Sequence, residues 1–526
     1  MKVNKIRLTN EYDNIFYKIK SNENFVLFRY GDGEYSIMNG IAVSAQEGWK
    51  SPNEVSDLGL ALKESLSLDD EKVYYGISCP CCDRTAYYWY MTNIKSRNIT
   101  FANMFVNYNY RRFISDFEKI EREAIIIANH KGKNNKIGNL NIIKYYEVGD
   151  DCISFWKNEA SELINLIKDE YGDRKNLLYV VSAGPMSEPI IYELFKNNPD
   201  NCYIDFGSAI DCYIHQRDTR PYTDISSVYG KRNCWMFNPR TTDFNVSVVL
   251  NTYKKPDALK KQLEAVCGQT LKPKEILLFK DGIEDDYNIE FGSEVLEQFT
   301  DVRISQSNVG VWERFKYAMK CNSDYICIFD DDTIPGKRWL ENCHFHMMKK
   351  EGIYGTVGII LKRPNGYPHR DYKRVGWPRP FSKTVEVDFV GHSWFLKKNY
   401  LDYMFDDTEK YQEYKYVGED MCLSFMCKKH GISTFVPPHP HDNEELWGSI
   451  PTYALKYGNA STALYLNDNN SNRMNDILKE FNKEGWDLVY NRKKKEIDKA
   501  NVLIEIEKDI HFTKLVYKKV KRLIKG

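Results

Sequence analysis

A chain of 526 residues is too long for one ordinary domain, and its 42% hydrophobic and 14% aromatic content suffices for two or three packed cores. Its 74 Lys and Arg residues balance 74 Asp and Glu residues, which excludes the overall positive field of a nucleic-acid binder. No apolar run approaches the roughly 18 residues of a membrane span, and the N-terminus lacks the apolar core of a signal peptide, so we expect a cytoplasmic protein.

Residues 1–235 are predicted to form one α/β domain. Short apolar runs alternate there with helical patterns, which is typical of a mostly parallel sheet covered on both faces. The predicted strands lie in the stretches NFVLFRYGDGEY, KVYYGISC, EAIIIANH, NLLYVVSAGPM and NCYIDFGSAID.

Acidic residues and small-residue turns follow these strands. The first strand runs into Asp32 and Glu34, which could share a metal ion, although an ordinary turn explains the stretch about as well. Two later stretches favour a ligand. The turn at 182–185 leads into a helix whose first N–H groups suit a phosphate, and another strand ends at Asp205.

The densest group of cysteines is CPCCDR, with Cys79, Cys81 and Cys82. The chain has 13 cysteines, an odd number, and we expect them to be reduced thiols of a cytosolic protein. A zinc site would need a fourth ligand and usually a C-x₂-C spacing, and we find neither near this group. The sequence therefore favours buried or incidental thiols over a metal site.

The motifs RYGDGE, SAGP and IDFGSAID, in this order, resemble glycosyltransferases of the GT-D fold, which carry a DxE metal motif. The resemblance spans about residues 20–220. It implies that Asp32 and Glu34 bind a metal ion with the nucleotide diphosphate. It also implies that Arg29, Ser182 and Gly184 lie close to the phosphates, but it assigns neither a base nor a stereochemical outcome.

The second half is predicted to begin after a linker at 236–244, where the sequence contains Pro and shows no period. A new series of alternating strands and helices at 245–455 predicts a second Rossmann-like domain. Residues 456–526 are predicted to be a helical extension. Its tail, 512–526, has an apolar stripe among Lys and Arg, which suits either an anionic membrane surface or packing on the domain.

Acidic residues end several elements of this second domain. The carboxylates of Asp330–Asp332 follow the apolar run YICIF, Asp281 ends LFKD, and Glu419 and Asp420 begin a predicted helix. Ligands bind beyond the carboxyl ends of strands in an open parallel sheet. Acids gathered there repel one another unless a cation is bound, and oxygen ligands favour Mg²⁺ or Mn²⁺ over zinc. A turn that caps the next helix is the alternative.

The stretches NVSVVLNTYKK, EILLFKDG, FDDDTIPG and GED, in this order, resemble family 2 glycosyltransferases of the GT-A fold. The resemblance implies a nucleotide-sugar donor and one divalent ion, Mn²⁺ or Mg²⁺, on its diphosphate. By this resemblance Thr252, Tyr253 and Asp281 hold the nucleobase and ribose. Asp330 contacts ribose and metal, and Asp332 is the favoured metal ligand.

The same resemblance implies the remaining roles. Asp331 is the alternative metal ligand if the register of the motif is shifted by one residue. Asp420 is the base that takes the proton of the acceptor hydroxyl, with Glu419 as its alternative, and the reaction inverts the anomeric carbon. His439 or His441 could supply a further metal or diphosphate contact, although a histidine in such a Pro-rich loop is more often structural.

The sequence thus predicts an α/β protein with two Rossmann-like nucleotide-sugar-binding domains, GT-D-like and then GT-A, and a helical extension. The leading hypothesis is a bifunctional, metal-dependent glycosyltransferase that extends a surface glycan such as a capsule, O-antigen or glycoprotein glycan. Its expected partners are UDP-sugars, a glycan or lipid-linked acceptor, and an anionic inner membrane surface for the tail. The alternatives are a single transferase with a non-catalytic, acceptor-binding N-terminal half, and a glycan-binding scaffold.

Overall fold

The computed structural model describes residues 5–494, except for 46–48, 243, 254–256, 283–292, 366, 368–370, 407–415 and 459–467. The chain divides into two compact units, residues 1–243 and 244–526, and each is described by itself. The predicted amphipathic tail, 512–526, lies outside the described residues. Among the described residues, no helix has both the length and the apolarity to cross a membrane.

The first unit is built on a sheet of seven parallel strands in the order β6-β5-β2-β10-β9-β7-β8. The strands of this unit are β1 Lys5–Arg7, β2 Val26–Tyr30, β3 Val43–Ser44, β4 Lys50–Ser51, β5 Val73–Ile77, β6 Ile99–Phe101, β7 Glu123–Asn129, β8 Asn141–Val148, β9 Leu178–Ser182, β10 Cys202–Asp205 and β11 Trp235–Phe237. The helices are α1 Leu8–Lys20, α2 Asp32–Met38, α3 Asp57–Ser65, α4 Arg84–Asn93, α5 Tyr110–Phe117, α6 Cys152–Asn158, α7 Ala160–Tyr171, α8 Ser187–Asn197 and α9 Asp211–Ile214.

The central strands of this sheet are buried, as continuous apolar runs in a parallel sheet require. Strands β2, β10 and β9 are neighbours, so the three predicted motifs follow strands that end at one edge of the sheet. The predicted linker begins inside structure: β11 pairs antiparallel with β1, and the first unit extends past residue 235.

The second unit has a nine-stranded sheet in the order β14-β13-β12-β15-β19-β16-β20-β18, with β17 paired to β16. Its strands are β12 Val246–Thr252, β13 Glu275–Lys280, β14 Asp301–Ile304, β15 Tyr325–Phe329, β16 Ile353–Leu361, β17 Tyr372–Gly376, β18 Val385–Val387, β19 Phe389–Lys397 and β20 Thr434–Val436. Its helices are α10 Asp257–Cys267, α11 Ser293–Leu296, α12 Glu313–Ala318, α13 Trp339–Met347, α14 Tyr400–Met404, α15 Glu419–Lys429, α16 Pro451–Tyr457 and α17 Asp468–Lys483.

The direction of the strands divides this sheet in two. Strands β14, β13, β12 and β15 are parallel, and β19 runs antiparallel to β15. The residues that follow β15 therefore lie beside the first residues of β19. The turn that carries Asp330, Asp331 and Asp332 lies at this junction of parallel and antiparallel strands. The prediction of two α/β units with parallel strands is confirmed.

Helix α17 packs on the second unit rather than standing apart as an extension. Ile477, Leu478 and Phe481 are buried in one hydrophobic cluster with residues of α15. The ring of Phe481 stacks on that of Phe425 with 4.2 Å between the ring centroids. The second core therefore continues past the predicted domain end at residue 455.

We expect Phe481→Ala to lower the local stability of α15 by about 3–5 kcal/mol, because it removes a fully buried ring and leaves a cavity. Native-state hydrogen exchange of the α15 amides measures this loss. Lys479→Ala, on the exposed face of the same helix, is the control and should change stability by less than about 0.5 kcal/mol. Equal protection of α15 in both variants would show that α17 does not support this core.

Candidate functional site

The acidic turn after β15 is held at its backbone from two sides. The backbone N–H of Asp330 donates to the His392 carbonyl oxygen across the antiparallel pair, at 3.0 Å. The buried side chain of Gln262 on α10 donates to the carbonyl oxygens of Asp330 and Thr333, at 2.7 Å each. The turn is thus fixed by a helix and a strand, so its carboxylates keep defined directions.

Asp330, Asp332 and His392 form a possible cation site. One ligand atom from each residue lies within 4.8 Å of the others. The Nδ1 atom of His392 is 3.9 Å from Oδ1 of Asp332. Two carboxylates and one imidazole fit a hard divalent ion such as Mn²⁺, which accepts nitrogen as well as oxygen ligands. The sequence did not single out His392, because only the register of β19 against β15 brings it to this turn.

Asp331 points elsewhere in the same turn. Its Oδ2 accepts a hydrogen bond from the backbone N–H of Tyr253 at 3.3 Å. Tyr253 follows β12, the next strand of the sheet. The structure therefore places Asp331 with a predicted nucleoside contact and not within the group of Asp330, Asp332 and His392.

A buried arginine that the sequence did not single out joins two of the predicted acids. Nη1 of Arg314, on α12, is 2.7 Å from Oδ1 of Asp330, and Nη2 is 2.8 Å from Oε1 of Glu419. The guanidinium also lies over the ring of Trp394. These carboxylates raise the pKa of Arg314 despite its burial, so the cation persists. Glu419 is thereby engaged in an ion pair.

Asp420 stands next to this pair at the start of α15 and is partly buried. One of its oxygens accepts the N–H of Met421 at 2.8 Å. The other faces Gly391 on β19, where an added Cβ would lie 3.9 Å from it. Burial, and then the charge of Glu419, raise the pKa of Asp420 well above its usual value. A raised pKa improves a carboxylate as a proton acceptor near neutral pH.

The three predicted nucleoside contacts lie at the same sheet edge. Asp281 follows β13, and its N–H donates to the Thr252 carbonyl oxygen at 3.1 Å. Its Oδ1 accepts from the N–H of Val309 at 2.8 Å and from Ser305 Oγ at 3.0 Å. Asp281 thus shapes the 305–310 loop from within the protein.

Tyr253 contacts this same loop. Its hydroxyl accepts a hydrogen bond from Asn308 Nδ2 at 2.9 Å. Thr252, Tyr253 and Asp281 are therefore brought together by the structure, through the loop and the adjacent strand ends, as the sequence placed them.

The two predicted histidines are not part of this group. His439 is fully buried, and its Nδ1 lies 2.8 Å from the carbonyl oxygen of Pro437 while Nε2 accepts from the N–H of Gly448. Burial lowers the pKa of His439 to about 4, so the ring is neutral. His441 is exposed. Both nitrogens of His439 thus face backbone atoms, and the histidine that lies beside Asp330 and Asp332 is His392.

In the first unit, Asp32 and Glu34 lie at the start of α2. Asp32 is exposed, whereas Oε2 of Glu34 accepts the N–H of Gly31 at 2.7 Å. Burial raises the pKa of Glu34 to about 7. Glu34 thus caps its own helix, which is the ordinary role of a residue at this position, and the structure leaves the sharing of a metal with Asp32 as a prediction.

Two further acids lie close to this turn. Glu188, on α8, accepts the N–H of Arg29 at 3.3 Å, and its pKa is raised well above the usual value by burial and by Asp205. Burial also raises the pKa of Asp205, 3.9 Å from Arg29 Nη1. Arg29 Nε donates to the Ala102 carbonyl oxygen. Arg29 is therefore largely occupied by protein groups.

The predicted phosphate turn has the expected form of strand, short turn and helix. Ser182 ends β9, and its hydroxyl donates to the Gly207 carbonyl oxygen at 3.1 Å. Gly184 has φ +59°, and nothing lies within 4 Å of where its Cβ would stand. Helix α8 begins at Ser187. The turn thus offers an open backbone surface in front of a helix start, as phosphate binding requires.

Comparison with known proteins addresses the second unit. Residues 247–403 match the family model "Glycosyl transferase family 2". A curated relative from Haloferax volcanii, "Glucosyl-dolichyl phosphate glucuronosyltransferase", is 26% identical over 155 residues. That alignment covers 27% of this chain and 48% of the relative, so the chain spans about half the length of the relative it matches.

Among solved structures, one of domain of unknown function 1792, described as having a distinct glycosyltransferase fold, is 14% identical, with a TM-score of 0.31. That alignment covers 56% of this chain and 94% of the other. TarS of S. aureus is 15% identical, with a TM-score of 0.27, over 44% of this chain and 42% of the other. From the match of the family model over residues 247–403, the second unit contains a glycosyl transferase family 2 domain.

Proposed function

We propose that the second unit transfers a sugar from a nucleotide-sugar donor to an acceptor hydroxyl, with inversion at the anomeric carbon. One observation carries this proposal. Asp330, Asp332 and His392 converge at the end of β15, and Asp420 stands at the start of α15 in the same unit as a family 2 domain. Carboxylates at strand ends can bind the cation that accompanies a diphosphate, and a further carboxylate can accept the proton of an acceptor hydroxyl.

Asp332, Asp330 and His392 would hold the divalent ion, Mn²⁺ or Mg²⁺. When bound, that ion neutralises the charge that develops on the diphosphate as the glycosidic bond breaks. One oxygen of Asp330 remains paired with Arg314, which fixes the direction of the carboxylate. The nucleoside of the donor would lie against Thr252, Tyr253 and Asp281.

Asp420 is the proposed base. Its raised pKa, from burial and from Glu419, suits it to take the proton of the acceptor hydroxyl as that oxygen attacks. Glu419 is the weaker candidate because its carboxylate already pairs with Arg314 at 2.8 Å. Gly391 leaves room in front of Asp420, where a larger side chain would stand.

We expect His392→Ala to weaken Mn²⁺ binding in the presence of a nucleoside diphosphate by at least about 10- to 100-fold, because loss of one of three ligands costs no less than loss of a residue that only orients a ligand. Titration calorimetry measures the Mn²⁺ affinity. His441→Ala, which changes an exposed histidine of the same unit, is the control and should bind as the wild type does. An unchanged affinity in His392→Ala would remove this histidine from the site.

We further propose that the first unit is a second transferase of the GT-D type, which makes the chain bifunctional. Asp32 and Glu34 would hold its metal ion, and Ser182 and Gly184 would face the phosphates; Arg29 would act by positioning the turn. The open backbone at Gly184 and the neighbouring strand ends support this. A single transferase with an acceptor-binding first unit is the alternative, favoured by the use of Glu34 as a helix cap.

The proposed donors are UDP-sugars, and the proposed acceptor is a surface glycan or a lipid-linked oligosaccharide at the inner face of the cytoplasmic membrane. The relative from Haloferax volcanii is named for a dolichyl phosphate substrate, which is consistent with a lipid-linked acceptor. The basic tail, 512–526, is the candidate for contact with an anionic membrane surface.

A screen of nucleotide-sugars with Mn²⁺, followed by measurement of released nucleotide, tests the two activities. Wild type should release nucleotide from two donors, and chelation of the metal should stop both. Asp332→Asn should lose one activity and Asp32→Asn the other. The single-transferase alternative would be favoured if the wild type used only one donor, Asp332→Asn abolished that activity, and Asp32→Asn left it unchanged.

A further inference from the structure

Four cysteines that no catalytic role uses converge in the first unit. The Sγ atoms of Cys79, Cys81, Cys82 and Cys234 all lie within 4.8 Å of one another. The Sγ atoms of Cys79 and Cys81 are 3.1 Å apart, and those of Cys82 and Cys234 are 3.7 Å apart. The fourth sulfur, which the sequence did not reveal, comes from 152 residues farther along the chain.

The four sulfur atoms lie close enough together to bind one metal ion, and the 3.7 Å separation is that of a tetrahedral site, whereas the 3.1 Å separation is shorter. Zinc–thiolate bonds of about 2.3 Å in a tetrahedral site place the sulfur atoms roughly 3.8 Å apart. A disulfide would need about 2.05 Å, and all four residues are free thiols in the structure. Four sulfur ligands in a tetrahedron are diagnostic of zinc or of iron.

A hydrogen-bonded backbone turn holds Cys79, Cys81 and Cys82 close together. The N–H groups of Cys82 and Asp83 both donate to the Cys79 carbonyl oxygen, at 3.0 Å each. Cys79 and Cys82 are three residues apart, which is the C-x₂-C spacing of structural zinc sites. Cys234 directly precedes β11. The prediction of incidental thiols overlooked this C-x₂-C spacing, because Cys81 stands inside it, and could not see Cys234.

Two polar side chains donate toward the sulfurs. Asn103 Nδ2 is 3.1 Å from the Sγ of Cys234, and Arg232 Nη1 is 3.8 Å from that of Cys82. Four thiolates around Zn²⁺ carry a net charge of −2, and such donors stabilise that charge in metal sites.

The exposure of the four residues also fits a metal site. Cys79 and Cys234 are buried, whereas Cys81 and Cys82 are exposed. The chain itself brings Cys79, Cys81 and Cys82 together within four residues, so the approach of Cys234 is the convergence that needs an explanation. The exposed pair leaves a path for an ion to enter.

We propose that Cys79, Cys81, Cys82 and Cys234 bind one structural zinc ion. With all four positions filled by protein, the site is closed and has no open coordination position for chemistry. The ion ties the turn after β5 to the start of β11 and so closes the first unit across more than half of its chain.

The proposed zinc site is also connected to the turn that carries Asp32 and Glu34. Asp83, directly after Cys82, caps α4 by accepting the N–H of Ala86 at 3.0 Å. The hydroxyl of Tyr90 on α4 donates to the Gly31 carbonyl oxygen at 2.7 Å. Zinc at the start of α4 would therefore hold the helix that fixes the backbone next to Asp32.

Elemental analysis of the full chain, purified with a tag that binds no metal, tests the proposal. Wild type should contain one zinc per chain. Cys81→Ser combined with Cys82→Ser should contain close to none, and because both positions are exposed we expect this variant to fold. Cys267→Ser, which changes an exposed cysteine of the second unit, is the control and should keep the full zinc content.

A second measurement reports the ligand set itself. Replacement of zinc by Co²⁺ should give the intense sulfur-to-cobalt absorption of a four-thiolate tetrahedral site, and the double variant should lack it. Chelation of zinc should lower the melting temperature of the wild type but not of the double variant. A reduced, folded wild type without zinc, one holding iron, or a disulfide among the four cysteines in mass spectrometry would overturn the proposal.

Discussion

Asp420→Asn is expected to lower the rate of sugar transfer by about 10²- to 10⁴-fold, which is the contribution of a positioned general base. The amide keeps the shape of the side chain but cannot accept the proton of the acceptor hydroxyl. Binding of nucleoside diphosphate should change little, because the proposed donor contacts lie on Thr252, Tyr253 and the acidic turn. Steady-state transfer kinetics, together with calorimetric binding of the nucleotide, separate the two effects.

Glu419→Gln distinguishes the two candidate bases. Arg314 keeps its pair with Asp330 in this variant, so we expect a smaller loss of transfer than in Asp420→Asn. Asp442→Asn, at an exposed position of the same unit, is the control and should retain wild-type activity. A large loss in Glu419→Gln with near-normal transfer in Asp420→Asn would exchange the two roles and contradict the proposal.

Arg314→Met is expected to lower the local stability around β15 by about 3–5 kcal/mol. The variant leaves buried Glu419 and half-buried Asp330 without the cation that both contact, and an uncompensated buried carboxylate is costly. Hydrogen exchange of the β15 amides under native conditions measures the loss. The transfer rate should fall with it, because the acidic turn loses its fixed direction.

Two further variants make this prediction specific. Arg303→Met breaks a partly exposed ion pair with Glu313 and should cost no more than about 1 kcal/mol. Arg314→Met combined with Glu419→Gln should recover part of the loss, because one of the two uncompensated charges is gone. If Arg303→Met and Arg314→Met have equal effects, the buried pair does not organise the site.

The sequence predicted the parts of the fold that follow from local patterns. Continuous apolar runs such as VSVVLNT became buried central strands, and the acids after them lie at the carboxyl edge of the sheet. Local patterns alone were therefore enough to place the Asp330–Asp332 turn, Asp281 and Asp420 at strand and helix ends. Each of these residues belongs to a motif that is short and local in the chain.

The sequence missed the residues that act across the fold. Arg314 lies on an ordinary amphipathic helix, and His392 lies in a strand whose antiparallel pairing is not encoded nearby. Glu188 and Gln262 likewise look like common helical residues until their partners are known. Cys234 is the plainest case: even the cysteine of the group nearest to it in the chain, Cys82, is 152 residues away, so spacing alone could not reveal it.

For His439, the sequence suggested a metal contact, whereas the structure gives both ring nitrogens other partners. A histidine in a Pro-rich loop beside an acidic motif suggested a metal contact, but neighbouring backbone groups at Pro437 and Gly448 occupy both ring nitrogens. A sequence shows that an imidazole is present and does not show which atoms face it. The positions of β11 and α17 are also beyond local patterns, since both elements are held by pairing and packing with distant segments.

The central claim is that Asp330, Asp332 and His392 hold a divalent ion with the diphosphate of the donor. Anomalous diffraction from crystals of the full chain grown with Mn²⁺ and UDP measures this directly. We predict an anomalous peak among these three side chains, next to the diphosphate, and its absence in Asp332→Asn. Bound UDP with no manganese among them, or crystals without either ligand in this cleft, would contradict the account.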